Sequence, residues 1–234
     1  MMANDAAMRI QYSFLFEDGS RKEFDVSLEL GGLNCAADGP TLPDWVSLRQ
    51  NQCPSCPLSS ETTPYCPAAL QLAHVVTSFA DCTSFEEVSV TVRTEQRTYT
   101  KRITLQLGVS ALIGLVMATS GCPVMEYLKP MARFHLPFAS AEETEYRMVS
   151  MYLVAQLKRQ AKGLDPDWSL EGLKGIYAKV TEINASFAKR LREAASNDAN
   201  MNALVNLDCF AKSAPWVVKT KLNDLDPLFE AYLR

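Results

Sequence analysis

Four of the seven cysteines in this 234-residue chain stand directly before a proline. Cys53, Cys56 and Cys66 do so within NQCPSCPLSSETTPYCPAAL, and Cys122 repeats the pattern far downstream in ATSGCPVMEYL. Cys35, Cys82 and Cys209 lack the proline. Proline fixes its own φ and offers no N–H, so it breaks most elements but suits the first position of a helix. YCPAALQL and GCPVMEYL therefore predict helices that begin at Pro67 and Pro123, each with a cysteine as its N-cap. A sulfur there sits beside free backbone N–H groups and the positive end of the helix dipole, a setting that favours thiolate. The C-x-x-C spacing of Cys53 and Cys56 lets two sulfurs of one loop turn toward a common ion or cluster.

Cys53, Cys56, Cys66 and Cys122 are thus expected to form one metal site. Four thiolates around Zn²⁺, or around an oxidised [4Fe–4S] core, carry a net charge of about −2, which two helix dipoles offset. Zinc is the first expectation, because it is the common occupant of four-thiolate sites. The alternative is a [4Fe–4S] cluster in electron transfer or redox sensing, since iron–sulfur cysteines often precede proline. The glycine familiar after the second cysteine of zinc ribbons is replaced by Pro57, and the tight ferredoxin spacing is absent too. C-P-x-C also resembles the glutaredoxin motif, but PLSSETTP after Cys56 is poor helix material and no βαβ pattern precedes it.

The length suits one large domain able to bury its core without disulfides. A single domain over 1–234 is expected, with a sheet-bearing half (1–107) and a helical half (108–234). With 47% hydrophobic and 21% charged residues the composition is that of an ordinary globular protein. A net charge of −4 with scattered basic residues gives no footprint for nucleic acid. MMANDAAMRIQYSF lacks the pattern of a secretory signal, and the longest apolar run, 109–118, is shorter than the roughly 18 residues of a membrane span. A cytoplasmic protein without a membrane partner is expected, and there clustered cysteines bind metal more often than they pair. A protein partner and the oligomeric state stay open.

The fold class expected is α+β. Residues 8–30 alternate: Ile10, Tyr12, Phe14 and Phe16 share a face, and Phe24, Val26, Leu28 and Leu30 answer them beyond Asp18–Gly19. Residues 84–107 predict a second hairpin, with Val88, Val90 and Val92 leading in and Tyr99, Ile103, Leu105 and Leu107 leading out. Together they predict a small antiparallel sheet with one buried face. The intervening 31–65 is long and rich in turn-forming residues, so something must pin it. Helices are predicted over 67–80, from 109 to a left-handed stop at Gly121, and over 141–162 behind a Ser140/Glu143 capping box. Leu173, Ile176, Tyr177, Val180, Ile183, Phe187 and Leu191 mark an amphipathic helix. Asp198 predicts the cap of another over 199–212, and Asp226–Pro227 a short terminal one.

Outside the cysteines the chemistry is sparse. The chain has two histidines. His74 lies two turns into the helix after Cys66, about 11 Å along it, and is read as a packed histidine rather than a ligand. His135, in MARFHLPFAS beside Arg133, is the only hint of a pocket, with Arg133 to hold an anion and His135 as acid or base. Packing between helices is the blander account of that segment. Cys209 falls in a helical pattern and is expected in the core, while Cys35 and Cys82 are reserve ligands. No catalytic constellation emerges.

CPSCPL, YCPAA, SGCP and FHLPFA, with the helical second half, together resemble a family of uncharacterised bacterial proteins over nearly the whole chain. The resemblance implies a bacterial source and assigns no residue role. The expected function is a non-enzymatic metal-binding protein whose closed site staples 31–65 to two helix N-termini. The third alternative is an enzyme with its pocket near Arg133 and His135.

Overall fold

The computed structural model describes residues 8–28, 42–194, 198–220 and 222–234. Cys35 and Leu30 fall outside them. Strands β1 (Met8–Leu15) and β2 (Arg21–Leu28) pair antiparallel around a turn in which Gly19 takes φ +84°. β3 (Glu87–Arg93) and β4 (Thr98–Thr104) form the second hairpin, and β1 joins β3, giving the antiparallel order β2-β1-β3-β4. The alternation does what its period demands. Ile10, Tyr12, Phe14, Val88, Val90 and Val92 are all buried on one face, and the residues between them look outward.

Helix α1 (Pro67–Ser78) starts with Cys66 as N-cap and Pro67 in its first turn, as the sequence predicts. Helix α2 (Leu105–Thr119) lies on the buried face of the sheet. It begins at Leu105, so the second hairpin ends earlier than its apolar pattern suggested. Leu105, Val109, Leu112 and Val116 recur at helical spacing, and all four are buried. The first N–H groups of α2 are satisfied by the chain entering β3, Leu105 N–H by the Glu86 carbonyl at 2.7 Å and Gln106 N–H by that of Ser84 at 3.0 Å. Gly108 brings α2 down onto the sheet, since a Cβ there would lie 2.9 Å from both the Phe14 ring and Val90 Cγ2. Gly121, at φ +79°, follows the end of α2 as predicted.

Cys122 does not cap an α-helix. A 3-10 turn, Met125–Leu128, comes first, followed by the short α3 (Lys129–Arg133). Helix α4 (Ala141–Ala161) carries the full capping box of Ser140 and Glu143, with Ser140 Oγ accepting from Glu143 N–H at 3.1 Å. α5 (Glu171–Ala194) and α6 (Ala199–Thr220) pack along one another. α6 runs past the predicted end and through Pro215. The Asp198 carboxylate spends itself on the N–H and hydroxyl of Ser84, at 2.8 and 2.9 Å, tying the α5–α6 junction to the chain before β3. α7 (Asp226–Leu233) closes the chain, with Pro227 in its first turn. The structure is α+β. Buried side chains from β1 through α6 join in one hydrophobic cluster. Among the described residues no helix is long and apolar enough to cross a membrane.

Candidate functional site

Cys53, Cys56, Cys66 and Cys122 line one small cavity of about 20 Å³. Leu48, Leu58, Ala68, Val124, Ile183 and Phe187 supply much of its apolar wall, and Arg190 joins them. Three separate stretches of chain therefore bring their cysteines to one place, and the Cys–Pro pattern found all four. Local geometry explains the meeting. The Cys56 N–H donates to the Cys53 carbonyl at 3.0 Å, closing the turn that brings these two together. Cys66 N–H donates to the Val46 carbonyl at 2.9 Å, and Leu48 N–H to that of Pro64 at 2.9 Å, so the 47–65 loop is closed at its base. Cys122 arrives from the end of α2, its N–H directed at Ser120 Oγ at 3.3 Å.

The loop is pinned by more than its cysteines. Trp45, Val46 and Leu48 are buried. Arg190 of α5 is 1% exposed and donates to the carbonyls of Trp45 and Ser47 (2.5 and 2.7 Å) and, more weakly, of Leu48 at 3.4 Å. Its Nε has no partner. No acidic side chain lines the cavity beside this buried cation. Sequence reasoning missed Arg190, although the signal was there. It stands seven residues after Ile183 and three after Phe187, squarely on the apolar stripe of α5, where a cation needs an explanation.

Cys53 and Cys122 are shifted away from thiolate, the opposite of what the sequence argument expected. Burial pushes Cys53 up to about 11, against a lowering by the Ser186 side chain, and the nearby Cys66, Cys122 and Cys56 push it further. Cys122 is also raised by burial, which outweighs the N–H groups of Met125 and Val124 that favour its thiolate. Desolvation of a charge in an apolar wall exceeds the pull of a helix end. All six described cysteines are free thiols. Among the described residues no three His, Cys, Asp or Glu side chains are gathered as a metal ion requires. The four thiols thus surround a void instead of meeting at a point.

The remaining cysteines lie elsewhere. Cys82 is partly buried away from the cavity, and Cys209 is exposed, which corrects its expected place in the core. His74 is exposed, its ring 5.5 Å from that of Phe24, and it does not line the cysteine cavity.

A second, larger cavity of about 560 Å³ lies between α2, the 125–139 segment, α5 and α6. His135 lines it, as the sequence hinted, hydrogen-bonded through Nε2 to the buried Tyr12 hydroxyl. Burial and the nearby Arg147 charge lower His135 to about 4. Arg133 does not take part. It is exposed and lies against Met8, and Arg147 of α4 supplies the cation instead. Arg147 Nη2 donates to the carbonyls of Met131 and Phe134 at 2.8 and 2.7 Å, holding α3 and its exit against α4.

Residues 10–230 match a family described as a domain of unknown function, DUF6901. The chain belongs to the DUF6901 family. No curated protein and no solved structure matches it. The family assignment fits the expected resemblance to uncharacterised proteins, and the roles of the two cavities rest on their own geometry.

Proposed function

We propose that this DUF6901 protein binds a metal cofactor through Cys53, Cys56, Cys66 and Cys122. The observation that carries the reading is the pairing of four thiols with a buried arginine around one void. A guanidinium stays protonated in proteins, and burying it without an anion is costly. Four thiolates on a metal centre carry about −2 and supply that anion. Metal coordination would also reverse the raised thiol pKa values, because a bound metal holds a thiol deprotonated.

The size of the void suits the single zinc ion expected first better than a [4Fe–4S] cluster. Sulfurs on zinc lie about 2.3 Å from it and leave no room for water among them. A space of about 20 Å³ is little more than the roughly 10–15 Å³ that admits one water-sized sphere, and a cluster of four irons and four sulfides is larger than that. Bound zinc would staple the 42–66 loop to α1 and to the end of α2, and a cluster in its place would add one-electron transfer. Cys53 and Cys56 hold it from the loop, Cys66 and Cys122 from the two helix ends, and Arg190 balances its charge. A reducing, cytoplasmic setting suits thiols kept free for metal.

The test is anaerobic purification with metal and sulfide analysis. Colourless protein with about one zinc per chain bears the reading out; brown protein with about four irons and four sulfides keeps the site but replaces its occupant. Cys122→Ser should lower metal content and the thermal midpoint by roughly 10 °C, while Cys209→Ser leaves both unchanged. Protein kept reduced that carries neither metal sinks the reading.

A further inference from the structure

The larger cavity carries an inference that does not depend on the metal. Its walls are largely apolar, drawn from Leu107, Leu115, Met131, Phe138, Leu207 and Phe210 among others, and no Asp or Glu is present among them. The charged residues lining it are Arg147 and Lys101. After its bonds to the Met131 and Phe134 carbonyls, Arg147 keeps Nε and Nη1 for another acceptor. Two further polar groups look for partners. Asn184 is 2% exposed with an unpartnered Nδ2, and Asn206 has an unpartnered, buried Nδ2 as well. A buried amide without a partner costs free energy, so this part of the lining carries polar side chains that the protein itself leaves unsatisfied.

These groups sit at two ends of the cavity. Tyr177 of α5 is close enough to Arg147 to feel its charge, and its ring packs edge-on against Phe210 of α6 at 6.0 Å. Asn184 lies seven residues further along α5, about 10 Å away at 1.5 Å per residue. Because α6 returns along α5 after a short connection, Asn206, four residues before Phe210, lies toward the same end as Asn184. The cavity thus has a cationic end at Arg147, an apolar middle and an amide-lined far end.

We propose that this cavity binds an elongated apolar carboxylate, its anionic head at Arg147 and its apolar body along α2 and α6. An amine finds no counter-charge among the lining side chains. Charge-assisted hydrogen bonds to the head give selectivity, and the apolar walls give affinity.

The experiment is calorimetric titration of the purified protein with decanoate, with decanol and decylamine as controls of equal chain length. Decanoate should bind at least about tenfold more tightly than decylamine. Arg147→Gln should weaken decanoate about tenfold while changing decanol less than threefold. Ala111→Trp, which fills the cavity from α2, should remove binding of both decanoate and decanol, and carries the test if Arg147→Gln does not fold. Metal content should be the same in both variants, so this result and the metal result fail separately. No decanoate binding, equal binding of the amine, or binding that survives Ala111→Trp overturns the proposal.

Discussion

Two arginines hold two cavities in this molecule, and they do it by the same device. Arg190 donates to the carbonyls of Trp45, Ser47 and Leu48, fixing the loop that carries three of the cysteines. Arg147 donates to the carbonyls of Met131 and Phe134, fixing the segment that roofs the larger cavity. No Asp or Glu is among the side chains lining either cavity. The difference is in burial and in size. Arg190 is sealed inside beside about 20 Å³ of space and four thiols, whereas Arg147 is half-buried at the edge of about 560 Å³. A sealed cation must find its anion within the protein, and a half-buried one can take it from a ligand. On the readings proposed above, that contrast separates a structural metal centre from a ligand-binding site. Helix α5 serves both, with Ile183 and Phe187 toward the cysteines and Tyr177, Val180 and Asn184 toward the larger cavity.

The contrast breaks most visibly at Arg190. Arg190→Met keeps the apolar contacts but leaves carbonyls unpaired and the proposed metal–thiolate centre without its cation. The expected loss is about 3–5 kcal/mol in urea denaturation, together with lower metal content. A variant as stable as the parent would mean that the thiols carry no charge in the folded protein.

A smaller effect should come from His135. Its folded pKa of about 4 lies below the ordinary 6.5, so between those values the unfolded chain binds the proton and the folded chain does not. Its contribution is complete above about pH 6.5 and is lost as the pH falls toward 4, up to roughly 3 kcal/mol. His135→Phe should flatten this window in denaturation curves taken from pH 7 to pH 4, though it also removes the bond to Tyr12. A parent curve with no slope across the window would place His135 in water, and the cavity would be more open than its burial implies.

The smallest effect sharpens the separation of the two sites. Ser140 caps α4 at the rim of the larger cavity. Ser140→Ala should cost about 1 kcal/mol and weaken decanoate binding slightly. Metal content should not move. Metal loss in that variant would show that the two cavities are coupled through α4 and α5.

Local patterns were legible because local physics writes them. The period-2 alternation marked both hairpins, the 3.6-residue stripe marked α5, and the Ser140/Glu143 pair marked the start of α4. Leu105 and Leu107 were misread because a strand running straight into a helix leaves no turn residue between the two periods. The Cys–Pro pairs selected the cysteines that share a cavity, since proline fixes where each chain segment can start or stop. The sequence by itself thus determined the elements, the sheet face and the four cysteines.

Only the tertiary structure decided what surrounds them. Whether four thiols meet at a point or around a void depends on how α2, α5 and the 42–66 loop pack. So does the counter-charge, which comes from Arg190, far from any cysteine in sequence. The choice of Arg147 over Arg133 has the same cause. Arg133 is two residues from His135 in the chain, but the end of α3 turns it outward to Met8, and a residue one helix later fills its place. Burial and charge pairing act through space between segments far apart in sequence, so no local pattern of spacing records them.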